Sequence, residues 1–234
     1  VTAQPKRVGL VFVSHSSKIA GGLVDVARQM AASVSLRAAG GTDDDGIGTS
    51  FSRVSEAIVA ADGGAGVVVL CDLGSAILTA ETALDFLDED TRALVRIVDA
   101  PLIEGGVAAA VAAQTGGDLD AVVAAARSAL ASMSAGQPPA STSEVSADPS
   151  VVRRGVTLVN RDGLHARPAA EFVTLASTFD AQVTVNGTDA TSLLGIMSLG
   201  LSQGMTAEIS ASGPEAQSAV DALGELLESG FGEA

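Results

Sequence analysis

The sequence predicts two dissimilar domains, an α/β unit built on a parallel sheet and then a smaller α+β unit built on an antiparallel one. Three observations carry this expectation. Through residues 1–133, short apolar runs alternate with stretches of helical spacing, the pattern of strand–helix–strand units around a parallel sheet. Segment 134–150, SAGQPPASTSEVSADPS, has no periodic apolar face and is rich in Ala, Pro and Ser, which is linker composition. From residue 151 onward, strand-like stretches alternate apolar and polar side chains, as in a sheet with one wet face.

In the first domain, the run Val8–Val13 predicts a buried strand, and Ile19, Leu23, Val26, Ala27, Met30 and Val34 predict a helix after it. A second strand is expected near Ser33–Ala38, followed by a polar, glycine-rich loop over 40–50 and a helix carrying Phe51, Val54, Ile58 and Ala61. Gly66–Cys71 predicts the next buried strand, and Ile77, Ala80, Leu84 and Leu87 mark one face of the helix beyond it. A strand over Leu94–Val98 and two Ala/Val-rich helices, roughly 102–115 and 118–132, close this half. Parallel sheets carry their functional loops outside the carboxyl ends of the strands. Order alone places His15, Asp72 and Asp99 at such ends.

The second domain, 151–234, opens on a strand over Val156–Val159. A helix beyond His165 is marked by Phe172, Leu175, Ala176 and Phe179. Ala181, Val183 and Val185 predict one half-buried strand, and Met205, Ala207, Ile209 and Ala211 another. Ala216, Ala219, Val220, Leu223, Leu226 and Leu227 give the last helix its apolar face.

Composition narrows the function. The net charge of −15 is −7 over 1–132, −2 over 133–150 and −6 over 151–234, so no segment carries the basic footprint of a nucleic-acid binder. No apolar run approaches the ~20 residues of a membrane span, and Val1–Arg7 lack a secretory apolar segment. A single cysteine, Cys71, excludes an internal disulfide framework and suits a cytoplasmic setting. With two histidines and one cysteine, no metal site is expected. A Walker sequence is also missing, so the chain itself need not bind nucleotide, and no cofactor is expected.

The two histidines, His15 and His165, each stand where a strand gives way to a helix. In Leu164-His165-Ala166-Arg167-Pro168, proline fits only the first turn of a helix, which makes His165 the cap. An imidazole there can hold a phosphoryl group against the unpaired N–H groups and positive end of the helix. Arg167 adds a fork of donors matched to phosphate oxygens, and Asn160 and Gly163 shape the preceding turn.

The run Gly163-Leu-His-Ala-Arg-Pro-Ala169 and the run Ser192-Leu-Leu-Gly-Ile-Met-Ser-Leu-Gly200 resemble the HPr phosphocarriers of the phosphoenolpyruvate-dependent phosphotransferase system. That resemblance covers 151–234. It implies an open-faced antiparallel sandwich in which His165 accepts phosphate on Nδ1 from enzyme I and Arg167 stabilises it. Ser192 matches the position where some HPr proteins receive a regulatory phosphate, and it equally suits a helix cap.

Val13-Ser14-His15-Ser16, the loop through Gly46-Ile-Gly-Thr-Ser50, Asp72-Leu-Gly-Ser-Ala76 and Glu104-Gly105-Gly106 resemble an EIIA domain of the mannose family. The likeness is greatest to DhaM, the phosphotransferase subunits of dihydroxyacetone kinase. The resemblance implies a flavodoxin-like parallel sheet and phosphorylation of His15 at Nε2, with Asp72 orienting the ring from Nδ1. Gly48, Thr49, Gly74 and Ser75 are the candidates for phosphate contacts; glycine and serine also serve turns, and Asp72 also suits a cap.

The implied function is a phosphohistidine relay from enzyme I to His165, then to His15, then to ADP on the kinase's nucleotide-binding subunit, which works with a substrate-binding subunit. A homodimer through the first domain is also implied. Because the sequence stops at Ala234, enzyme I is expected as a separate protein. Two other destinations stay open, a mannose-type sugar permease and a regulatory partner docked according to phosphorylation state. A flavodoxin-like cofactor domain is a further reading, which the scarcity of aromatic residues disfavours.

Overall fold

The computed structural model describes residues 6–134, 151–161 and 163–232. Contacts divide the chain into two compact units, Val1–Ala131 and Ser132–Ala234. Residues 135–150, most of the expected linker, lie outside the described residues, and Ser134 closes a helix.

The N-terminal unit runs β1 (Gly9–Ser14), α1 (Ser17–Met30), β2 (Leu36–Gly40), α2 (Phe51–Ala61) and β3 (Val67–Cys71). It continues with α3 (Gly74–Asp85), α4 (Glu89–Ala93), β4 (Val95–Val98), α5 (Leu102–Gln114) and α6 (Leu119–Ser134). All strand pairs are parallel, in the order β2-β1-β3-β4. The order reverses at β1 and β3, which makes the gap between their carboxyl ends the switch point where α/β sheets bind ligands.

β1 and β3 are buried along their whole lengths, as apolar runs covered on both faces must be. Val11, Val13, Val67 and Val69 pack with Val54, Ile58, Ala76 and Ala80 of α2 and α3. On the other face Phe12 meets α5 at Gly106, where an added Cβ would come within 3.0 Å of the ring. With no Tyr or Trp in the chain, close approach through glycine and alanine lets small aliphatic side chains fill this core.

Some expected bounds shift, and one helix was not expected. Helix α1 ends at Met30, so Val34 lies beyond it, and β2 begins at Leu36 rather than near Ser33. The short α4, capped by Asp88 accepting from the Thr91 N–H at 2.9 Å, was hidden because no apolar stripe marks so short a polar helix.

The C-terminal unit comprises β5 (Val152–Thr157), α7 (Ala166–Ala176), β6 (Gln182–Val185) and β7 (Thr188–Asp189). Then come α8 (Leu193–Ser198), β8 (Thr206–Ser212) and α9 (Ala216–Glu228). The sheet is antiparallel, in the order β5-β8-β6-β7. Ala207, Ile209 and Ala211 of β8 point into a core with Phe172, Ile196, Leu223 and Leu227.

Strand β5 starts earlier than expected, at Val152, because Arg153 and Gly155 occupy its exposed face and dilute the apolar signal. Met205 is exposed and precedes β8, and Phe179 lies beyond the end of α7. Elements β7 and α8 are too short for periodicity to reveal.

Gly9 illustrates the tight packing, since a Cβ added there would lie 2.3 Å from the Ala61 carbonyl oxygen at the end of α2. Gly9→Ala should therefore destabilise the N-terminal unit by roughly 1–3 kcal/mol. Urea unfolding of the N-terminal unit measures this, and an unchanged midpoint would contradict so close an approach.

Candidate functional site

The N-terminal site forms at the switch point. His15 follows β1, Asp72 follows β3, and α3 begins at Gly74, two residues beyond Asp72. The Asp72 carboxylate accepts four hydrogen bonds. Its Oδ1 receives His15 Nδ1 at 2.9 Å and the Leu73 N–H at 2.8 Å. Its Oδ2 receives the His15 N–H and the Ser14 hydroxyl, each at 2.8 Å. Burial pushes the Asp72 carboxyl up, but the donors from His15 and Ser14 outweigh it and hold the group below the usual 3.8.

An ionised Asp72 selects the tautomer with the proton on Nδ1, leaving the lone pair on Nε2. That nitrogen lies 2.8 Å from the Ser75 hydroxyl. Helix α3 begins at Gly74 without a side-chain cap, and the Gly74 and Ser75 N–H groups have no acceptor among the described residues. A helix N-terminus with open donors facing a nucleophilic nitrogen suits an anionic group carried on that nitrogen.

The remaining candidates serve the frame. The Gly48 N–H donates to the His15 carbonyl at 2.9 Å, so it holds the histidine backbone and is not free for phosphate, contrary to the sequence expectation. Thr49 Oγ1 is 2.8 Å from Thr79 Oγ1, which back-bonds the Ser75 carbonyl at 3.1 Å. Since Thr79 gives its single proton to that carbonyl, Thr49 donates to Thr79, and its hydroxyl braces α3. Asp99 is exposed beyond β4, and no hydrogen bond joins it to His15 among the described residues. Cys71 is chemically quiet: burial, with the charges of Asp72 and Glu81, pushes its thiol up to about 12.

The C-terminal site is a helix cap. His165 stands at the N-cap of α7 in extended backbone conformation and is exposed. Arg167 is the second residue of the helix and Pro168 the third. Gly163 adopts φ +65°, and a Cβ there would lie 2.2 Å from the Leu201 carbonyl oxygen, which demands glycine. The Gly163 carbonyl accepts from the buried Asn160 amide at 2.6 Å and from the His165 N–H at 3.0 Å. Ser192 caps α8, its hydroxyl accepting from the Gly195 N–H at 3.2 Å.

A family model described as "PTS system fructose IIA component" matches residues 9–123, and one described as "PTS HPr component phosphorylation site" matches 152–229. The Escherichia coli (strain K12) protein "PEP-dependent dihydroxyacetone kinase, phosphoryl donor subunit DhaM" is 40% identical over 240 residues, spanning 97% of this chain and 51% of that protein. The phosphocarrier protein HPr of Cupriavidus necator is 40% identical over 87 residues, spanning 36% of this chain and 98% of that protein. The DhaM subunit of dihydroxyacetone kinase 2 from Listeria innocua is 40% identical over 105 residues, covering 44% of this chain and 84% of that protein.

The chain belongs to the DhaM family.

It spans about half the length of the E. coli protein and of the Pantoea, Providencia and Klebsiella relatives. Within the DhaM framework, the structure joins His15, Asp72 and Ser75 in one hydrogen-bonded group. Motif reading quoted Ser14 without giving it a role and passed over Thr79. Both are ordinary hydroxyl residues by spacing, and only their contacts to Asp72 and to the Ser75 carbonyl distinguish them.

The lowered Asp72 carboxyl makes stability depend on pH. Its contribution is complete above the ordinary aspartate value of 3.8 and is lost as pH falls through the lower native value. Urea unfolding of wild type and Asp72→Asn across a pH series should show a gap that is widest near neutrality and shrinks below 3.8. A gap that stays constant with pH would contradict this.

Proposed function

We propose that the chain is a two-histidine phosphoryl relay that serves as phosphoryl donor to a dihydroxyacetone kinase, a component of phosphoenolpyruvate–glycerone phosphotransferase activity. The observation that carries this reading is the His15 arrangement, with Nδ1 tied to Asp72 and Nε2 turned to Ser75 at the open start of α3. Family membership and the exposed His165 cap support it.

Enzyme I donates a phosphoryl group to Nδ1 of His165, with the α7 N-terminus and Arg167 offsetting its charge. His15 Nε2 then attacks that phosphorus in line; the new N–P bond forms as the bond to His165 breaks, and the electron pair returns to the His165 ring. Ser75 and the Gly74 and Ser75 amides stabilise the group on His15. In the last step a terminal oxygen of ADP, held by the kinase's nucleotide-binding subunit, attacks the same phosphorus, and the His15 ring leaves. The resulting ATP phosphorylates dihydroxyacetone on the substrate-binding subunit. Each displacement asks the protein mainly for positioning and charge stabilisation.

A cytoplasmic location and a homodimer through the N-terminal domain fit this role. The division into domains at 1–133 and 151–234 with a connecting segment is also part of the reading. Tethering the two histidines can raise their mutual concentration to the millimolar range. Ser192 adds a candidate control point: phosphate there would sit at a cap that now accepts the Gly195 N–H.

The test incubates the chain with enzyme I and phosphoenolpyruvate and maps phosphohistidine by mass spectrometry, then adds the kinase subunits with ADP and dihydroxyacetone. Wild type should be labelled at both histidines and yield dihydroxyacetone phosphate. His165→Ala should lose label at His15 as well. Undiminished labelling of His15 in that variant would overturn the order, and failure of the phosphorylated wild type to discharge to the kinase would overturn the destination.

A further inference from the structure

We infer that Ser14 is a positioning residue for the chemistry at His15, acting through the Asp72 carboxylate; the inference rests on the relay reading of His15. A carboxylate orients a ring only as firmly as it is itself held. Ser14 is the last residue of β1 and is fully buried. Its hydroxyl donates to Asp72 Oδ2 at 2.8 Å and accepts from the Ser16 N–H at 3.1 Å. Because the Ser16 contact uses a lone pair, the single hydroxyl proton is directed to Asp72. The Ser14 carbonyl accepts from the Gly41 N–H at 3.0 Å, so its backbone is tied to the neighbouring loop. The donor therefore approaches Asp72 from a strand that has little room to move.

The geometry gives Ser14 a task that no other side chain among the described residues shares. Each Asp72 oxygen receives two donors, and those on Oδ2 are the His15 N–H and the Ser14 hydroxyl. Without the hydroxyl, Oδ2 keeps one partner and the carboxylate can turn about its Cβ–Cγ bond. Oδ1 then loses the alignment that places it 2.9 Å from Nδ1. Neutral imidazole has two tautomers, and a loosened carboxylate admits the one with its proton on Nε2. In that tautomer Nε2 has no lone pair with which to attack phosphorus. Ser14 thus keeps the nucleophilic nitrogen available without touching the ring's reacting atom.

The test compares Ser14→Ala, Ser14→Thr and Ser14→Cys in the full chain. Nitrogen NMR of the His15 ring should show the Nδ1–H tautomer in wild type and a mixture in Ser14→Ala. Phosphoryl uptake by His15 should slow about tenfold or more in that variant, the loss expected for one hydrogen bond to a charged group. Ser14→Thr, which keeps the hydroxyl, should restore both readouts. Ser14→Cys retains the volume but weakens the donor, and it decides the case if the alanine variant does not fold. An unchanged ring tautomer in Ser14→Ala, or in Ser14→Cys where alanine is unfolded, overturns the inference, whatever happens to the unfolding midpoint. Absence of label on His15 in wild type would instead overturn the relay reading, and the tautomer measurement would still decide the part played by Ser14.

Discussion

The N-terminal site depends on one interaction, the Asp72 carboxylate held by four hydrogen bonds. A partly buried carboxylate is costly to keep ionised unless donors surround it. Here the donors come from the last residue of β1, the residue that follows it, and Leu73 beside the aspartate, so the charge is stabilised at the carboxyl ends of the two central strands. The same contacts settle which nitrogen of His15 carries a proton. Charge, tautomer and ring orientation therefore follow from a single arrangement.

That arrangement follows from the sheet. β1 and β3 are neighbours with parallel register from Gly9↔Val67 to Val13↔Cys71, which brings the residues after them side by side. The Asp72 N–H continues the ladder by donating to the Val13 carbonyl at 3.1 Å, fixing the height of the carboxylate against the ring. Small residues make this possible. Gly9 admits the end of α2, and Gly105 and Gly106 admit neighbouring chain to α5. Larger side chains at these points would push the helices outward and disturb the register on which the site depends.

The two histidines use helix termini differently. His165 is itself the cap of α7, exposed, with Arg167 in the first turn. His15 stands across from the start of α3 and is braced by Asp72, while Ser75 supplies a hydroxyl to the far nitrogen. In the proposed relay, an exposed carrier meeting a braced acceptor suits a donor that must visit more than one partner. The acceptor, by contrast, has its nucleophile oriented before any partner arrives, which lowers the reorganisation required during transfer.

Much of this was legible in the sequence. The unbroken apolar run of β3 and the periodic apolar face of α9 emerged within a residue or two, because burial on both faces or on one regular face each leaves a distinct trace. The His165 cap was also legible, since Pro168 is a local constraint that needs no tertiary partner. The pairing of His15 with Asp72 was suggested by motif resemblance, but their distance was decided by strand order, which local spacing does not encode. The engagement of the Gly48 amide with the His15 carbonyl and of Thr49 with Thr79 was invisible for the same reason. Sequence alone determined the kinds of chemistry available, two imidazoles at the heads of helices in an acidic, aliphatic chain. Tertiary structure alone decided which hydroxyls and amides are already bonded and which remain open, because hydrogen bonds between distant segments depend on distances that only packing sets.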